Sequence, residues 1–325
     1  MLGRNYVWAI LFASVMTLPV GCKRVTELLS KSKAPAGQSA ATAESEGPTL
    51  GQKMNGYISD CLNVFTENVM RSEEYYFSWA GKEGPSQKTP DVKGVLSTYL
   101  EPKRCTDAVS KSNAMAPKDP VLELAASRYA NALQALRPVI DKARVYYENR
   151  GYKTDQFEEA KELHQKLVQA FGEFDAADQE LGIQIDQRED QEAQRSLAAI
   201  EKQDGRKFPY LFRATIIQAK AMNRQIQRPW DKLQLSELQK TFAAYDALVN
   251  ELAAYRDTHR DETRATFSGP YIEEHKTMVR LSRDYMHRVE DKKPFSKDEL
   301  RFAENAPSKL MNEYNHLVTA FNNLH

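Results

Sequence analysis

Helix breakers are scarce over most of this 325-residue chain: glycine and proline number 14 each, and half of the combined set lies before residue 95. Beyond that point long helices can run without interruption. Strand-type alternation of apolar and polar residues is nearly absent, which excludes a sheet-based core. An excess of either charge is also lacking. Lys and Arg total 45, Asp and Glu total 45, so there is no basic surplus to build a broad nucleic-acid surface. No apolar run reaches the ~18 residues of a spanning helix, although the first twenty positions approach it. Cysteine is rarer still, with three in all. What is present is enough for a core: 41% hydrophobic and 28% charged residues do not describe a mainly disordered chain.

The N-terminus reads as an export signal. Arg4 supplies the positive region, and Val7 to Val20 is an apolar stretch too short to span a bilayer comfortably. It ends in Leu18-Pro19-Val20-Gly21-Cys22, which resembles the lipobox of bacterial lipoproteins, with Pro19 where that motif usually has Leu. The resemblance implies cleavage after Gly21 and acylation of Cys22. Ordinary signal-peptide cleavage and an uncleaved anchor are the alternatives. Lys23 replaces the Asp that marks inner-membrane retention in enteric-type bacteria, which favours the outer membrane. Residues 22–51 then form a lipidated cysteine and a tether. From residue 30 on it is made of Ser, Ala, Gly, Pro and charge, and cannot offset the entropy of ordering.

With Cys22 lipidated, Cys61 and Cys105 remain as an even pair in an oxidising compartment. A disulfide between them closes a loop of about 45 residues, for which chain entropy gives roughly 4 kcal/mol. Free thiols are the competing state. C-x-x-C spacing for a redox pair is absent, and no nearby His pair completes a zinc site.

Residues 52–325 read as an all-helical domain: an all-α, extended helical bundle with one very long helix. A first helix is expected from about Gln52 to Trp79, and a second near Lys93 to Asn113, interrupted by Pro102. A third starts at Asp119-Pro120, runs to about Asn149 and should kink at Pro138. The span Thr154 to Asp204 contains no proline, with Asp155 and Glu158 as an N-terminal cap and Gly205 as the stop. Within it Phe157, Ala160, His164, Leu167, Phe171, Phe174, Asp178, Leu181 and Ile185 form a seam in steps of three and four. The polar run Asp186 to Arg195 reads as a helix leaving the core or, alternatively, as a partner-contacting spike. Four further helices are expected: Phe208 to Ile226, Ser236 to His259 (capped by Ser236 and Gln239), Pro270 to Arg288, and Lys297 to Leu324.

Several short patterns recur in order: Lys53-x3-Tyr57-Ile58-x2-Cys61-Leu62-Asn63, Cys105-x2-Ala108-Val109, Tyr146-Tyr147, Asp155-x-Phe157 and Lys161-x-Leu163-His164. Gly205-Arg206-Lys207-Phe208-x-Tyr210, Lys293-Pro294-Phe295-Ser296 and Tyr314-Asn315-x-Leu317-Val318 continue the series. Together they resemble the YiiG-like family of predicted bacterial lipoproteins, a domain-of-unknown-function family (DUF 3829), over nearly all of residues 52–325. The resemblance implies an envelope location and a helical body. It implies no activity, cofactor or catalytic residue.

Recognised chemistry is sparse. Phosphate loops, G-x-S-x-G and H-E-x-x-H are missing. Glu313-x-x-His316 has the E-x-x-H spacing of di-iron bundles, and Asp284-x-x-His287 with Glu290 resembles a second unit. Six histidines among 45 carboxylates supply such spacings by chance, so Asp284, His287, Glu290, Glu313 and His316 stand as weak metal candidates. His259-x-x-Glu262 resembles the H-x-x-E of imelysin-like envelope proteins but lacks the preceding glycine. His164, on the seam, reads as a core-edge residue with one ring nitrogen bonded to a neighbour. Tyr75, Tyr76, Phe77, Trp79, Tyr146 and Tyr147 read as packing. The sequence therefore suggests a non-enzymatic binding or structural module of the envelope, without a cofactor, attached to a membrane by lipid and contacting an unknown envelope protein or small ligand. An envelope metalloprotein and a small-molecule binder with an inter-helical pocket are the alternatives.

Overall fold

The structure is a computed structural model describing residues 49–96, 101–263 and 268–323. The expected signal segment, Cys22 and the tether up to residue 48 lie outside the described residues. Among those described there are helices and no strand, so the protein is all-α.

Helix starts follow local chemistry closely. Helix α1 (Leu50–Tyr57) begins two residues before the expected Gln52, because Thr49 and Gln52 form a reciprocal capping box. A π-helical turn, Ile58–Leu62, joins it to α2 (Asn63–Ala80), which ends at Gly81 with φ 71°. Helix α3 (Pro102–Ala114) corrects an expectation. Residues 91–96 are not helical, and Pro102 does not interrupt a helix but starts one, since the N–H it lacks is unpaired in a first turn anyway. Helix α4 (Pro120–Glu148) opens as expected, with the Asp119 carboxylate accepting from the Leu122 N–H at 3.1 Å, and it continues through Pro138.

Helix α5 (Glu158–Asp204) has 47 residues and is about 70 Å long. Gln156 and Phe157, at φ 55° and 71°, place its entry in left-handed backbone. Asp155 holds that turn by accepting from the Phe157 and Glu159 N–H groups, each at 3.0 Å, and from the Tyr146 hydroxyl. At the far end Gly205, φ 74°, closes the helix by donating to the Glu201 carbonyl at 2.9 Å.

The described chain divides into two compact units at Glu189 and Asp190, within α5. In the N-terminal unit α1 packs on α3 and α3 on α4. All nine residues of the expected seam are buried, Phe157 just before α5 and the other eight on it, and its apolar members join one core with residues of α1 to α4. The C-terminal unit contains α6 (Phe208–Ile226), α7 (Leu235–Thr258), the single turn α8 (Arg260–Thr263), α9 (Ser268–Glu290), α10 (Lys297–Phe302) and α11 (Pro307–Asn323). Helix α6 is central and packs on α7, α9 and α11, while α9 also packs on α7 and α11. Two expectations change here. Ser236 does not cap α7: the cap position is Gln234, without a side-chain bond, and Gln239 instead donates to Glu290. The last expected helix is two helices, α10 with a Ser296–Glu299 capping box and α11 starting at Pro307.

Cys61 and Cys105 are joined by a disulfide and both are fully buried, with Cα atoms 4.7 Å apart. The bridge ties the π turn to α3 where the backbones run close. A Cβ added at Gly56 would lie 2.1 Å from Ser112 Oγ, so a larger residue there would have to displace the Ser112 hydroxyl. Replacing both cysteines by serine should lower the stability of the N-terminal unit by about 2–4 kcal/mol. Urea unfolding under identical buffer conditions measures this, and an unchanged midpoint would show that the bridge is not stabilising.

Candidate functional site

The strongest concentration of buried charge lies where α4 begins. Lys53 of α1 is completely buried, and its Nζ donates to the carbonyls of Met115 at 3.1 Å and Pro117 at 2.9 Å and to the Glu123 carboxylate. Glu123 also accepts from the Asp119 N–H. Asp119 in turn accepts from Arg188 of α5 through Nε at 2.8 Å and Nη2 at 3.0 Å. The hydrogen bond from Lys53 holds the Glu123 carboxyl below its ordinary range, and that from Arg188 does the same for Asp119. One ammonium thus satisfies the loop between α3 and α4, and one guanidinium fastens α5 to the same point.

Arg188 belongs to the polar run Asp186 to Arg195, which is not an exposed spike. Asp186, Glu189 and Ala193 are buried. In the C-terminal unit Asp190 pairs with Arg224 and lies 3.8 Å from the Lys220 ammonium. Ion pairs rather than apolar contacts hold Arg188 and Asp190 in place.

A second constellation surrounds His164. Its Nδ1 is 2.9 Å from the Tyr76 hydroxyl and its Nε2 is 3.0 Å from the Lys82 carbonyl. Since a carbonyl only accepts, Nε2 carries the proton and Tyr76 donates to Nδ1. Both ring nitrogens are therefore paired, one more than the sequence suggested. Gly84, φ +81°, brings the loop onto the ring so closely that a Cβ would sit 2.7 Å from His164 Cγ. Phe77, Trp79 and Tyr147 pack around Tyr76, with Trp79 and Tyr147 edge-on at 5.3 Å. The aromatic residues act as packing, and the imidazole is locked in one tautomer with no nucleophile bonded to it.

The five weak metal candidates do not assemble. Asp284 is exposed; His287 is exposed too, with Nδ1 2.8 Å from Glu290, which also accepts from Gln239. On α11, Glu313 and His316 instead act on Glu274 of α9, whose carboxyl is pushed up first by burial and then by Glu313. Among the described residues no three His, Cys, Asp or Glu side chains could hold a metal ion together. Helical spacing put each pair on one face but could not turn those faces toward a common point. His259 ends α7, stacked on Tyr255 at 4.0 Å with Nδ1 3.0 Å from the Tyr255 carbonyl.

Sequence reasoning missed His275, a fully buried residue of α9. Its Nδ1 lies 2.7 Å from the Tyr245 hydroxyl of α7, and its Nε2 has no hydrogen-bond partner. Tyr245 donating to Nδ1 leaves one polar group unpaired; the opposite direction leaves two. No local pattern could have revealed this pair, since the partners stand on different helices. Burial pushes the His275 imidazole down to about 3. The N-terminal unit also has an open groove between α4 and α5, of about 470 Å³, lined by Ala132, Ala135, Ala176 and Ala177 with Arg128, Asn131, Glu173 and Glu180.

Taken together these features define an all-α protein whose buried polar groups serve mainly to join helices. A family model described as "Protein of unknown function (DUF3829)" matches residues 49–323, and the chain belongs to that family. It is 27% identical, over 358 aligned positions covering 99% of both chains, to a protein named "Uncharacterized protein YiiG" of Escherichia coli (strain K12). No solved structure matches it.

Two outcomes test the energetics. Lys53→Ala strands the Glu123 carboxylate and two carbonyls, and should cost about 3–5 kcal/mol in chemical denaturation; a loss below ~1 kcal/mol would contradict the buried network. His275 stays neutral when folded, whereas the unfolded chain takes up a proton as pH falls through about 6.5. Its stabilisation is therefore complete above that pH and decreases towards pH 3, by roughly 2 kcal/mol between pH 7 and 5. His275→Gln should flatten that part of the pH profile of the C-terminal unit.

Proposed function

We propose that this protein is a lipid-anchored envelope protein facing the periplasm, and that its helical body is a binding or structural module rather than an enzyme. The observation that carries the reading is the buried Cys61–Cys105 disulfide. Such bridges persist in oxidising compartments, and in bacteria that means beyond the inner membrane. The leader agrees: Arg4, the apolar stretch Val7 to Val20 and Gly21-Cys22 make a lipoprotein-type export signal. Lys23 after the acylated cysteine favours the outer membrane.

Binding, in this reading, is to another envelope component. The described residues offer ion-paired helix faces rather than a basic surface, which argues against a nucleic-acid partner. None of the described helices is long and apolar enough to cross a membrane; in this reading attachment is through the lipid on Cys22.

Replacing Cys22 by Ser should abolish incorporation of labelled fatty acid and shift the protein from the membrane to the soluble fraction. Fractionation of cells expressing each form reads this directly. Labelled fatty acid entering the Cys22→Ser protein would remove the lipid anchor from the proposal.

A further inference from the structure

Asp178 occupies an unusual place in the N-terminal unit. It stands on the seam of α5 among Phe171, Phe174, Leu181 and Ile185, all buried, and is itself only 7% exposed. One carboxylate oxygen, Oδ1, accepts from the Thr66 hydroxyl of α2 at 2.7 Å. Thr66 has a single proton to give, so the Tyr129 hydroxyl of α4, 3.0 Å from Thr66 Oγ1, is the donor in that contact. The result is a hydrogen-bond chain crossing three helices: Tyr129 to Thr66 to Asp178. Tyr129 is fully buried, with its ring 5.1 Å from that of Phe174.

The surroundings treat this carboxyl differently from Asp119. There Arg188 supplies a cation; here the ionisable groups facing the carboxyl are Tyr129 from α4 and Asp175 from its own helix, and α2 offers the neutral Thr66. Arg128, next to Tyr129, is turned to Glu180 at 2.8 Å. A negative charge at Asp178 would therefore sit in an apolar seam with one neutral donor and a second carboxylate nearby. Burial, and after it Asp175, pushes the carboxyl up to about 6 against the Thr66 bond.

We propose that Asp178 is a pH-sensitive catch: uncharged, it lets the α5 seam stay closed on α2 and α4, and once ionised it loosens that seam. The proton goes to solvent and no other group need change state. The folded unit keeps a proton that the unfolded chain gives up near pH 4. The stabilisation is therefore complete in acid and is lost as pH rises through about 6. The N-terminal unit would grip most firmly in mildly acid surroundings and open locally as they become neutral or alkaline. A helical module facing the periplasm, as proposed above, could use this to make a contact depend on pH.

The experiment uses the full chain. Carbon-detected NMR of labelled aspartate, assigned with Asp178→Asn, gives the pH at which this carboxyl ionises. Urea midpoints and amide exchange across residues 167–185, corrected for intrinsic rates, are measured from pH 5 to 8 in both proteins. Expected are ionisation near pH 6 and a folding constant that falls about tenfold more in the natural chain than in Asp178→Asn over that range. Thr66→Val, which removes the bond favouring the charged form, should move the ionisation to higher pH and covers the case in which Asp178→Asn folds poorly. Ionisation below pH 4.5, or parallel pH profiles for the natural and Asp178→Asn proteins, would overturn the proposal.

Discussion

A long isolated helix gains little from its backbone hydrogen bonds in water, and its persistence depends on burying one stripe. In the N-terminal unit that stripe is the α5 seam, Phe157 to Ile185, with all nine of its positions buried. The other features of the unit act on it. The Asp155 turn sets where the helix enters, and Arg188 fastens it beyond the seam to Asp119. His164 and Asp178, the polar members of the seam, bond to hydroxyls on α2. A stripe of leucines would close at least as firmly. The two polar positions instead select one register, since each has its hydroxyl partner at only one place along α2.

Buried charge is handled in two ways in this molecule. Lys53, Glu123, Asp119 and Arg188 neutralise one another and fill the remaining donor and acceptor positions from backbone groups. Such a network is costly to break and adds little beyond an apolar core when intact, so its value lies in fixing geometry. Asp178 and His275 have no counter-charge, and burial works against the charged form of each. Their linkage to pH is opposite in sign. The C-terminal unit loses stability as His275 is drawn towards protonation in acid, and the N-terminal unit loses it as Asp178 is drawn towards ionisation at higher pH. The two linkages therefore oppose each other across mildly acid pH.

The motif residues are mostly places where the fold is joined: Lys53 in its cradle, Cys61 and Cys105 in their bridge, Tyr146 on Asp155, Arg206 on Tyr210 and Glu251, and Phe295 against Arg288 and Tyr285. None sits in a constellation with catalytic geometry.

By itself the sequence determined the all-α class, most helix limits and the seam. Helix starts at Pro120, Phe208 and Lys297 and stops at Gly81 and Gly205 rest on caps, missing N–H groups and left-handed backbone, all effects within a few residues of one another. The even cysteine pair was legible for a similar reason, since counting and compartment leave few partners. The same local rules also limited what could be read. Pro102 was recognisable as a breaker, but whether it interrupts or begins a helix depends on what precedes it, and Ser236 had a cap's sequence without a cap's position. Only the tertiary structure decided that Lys53 meets Glu123, that Arg188 turns a seemingly exposed polar run into an anchor, that His275 meets Tyr245, and that the E-x-x-H spacings never converge. Those facts depend on how helices distant in sequence rotate against each other, and apolar area, which drives that packing, carries no record of which polar atoms it will bring together.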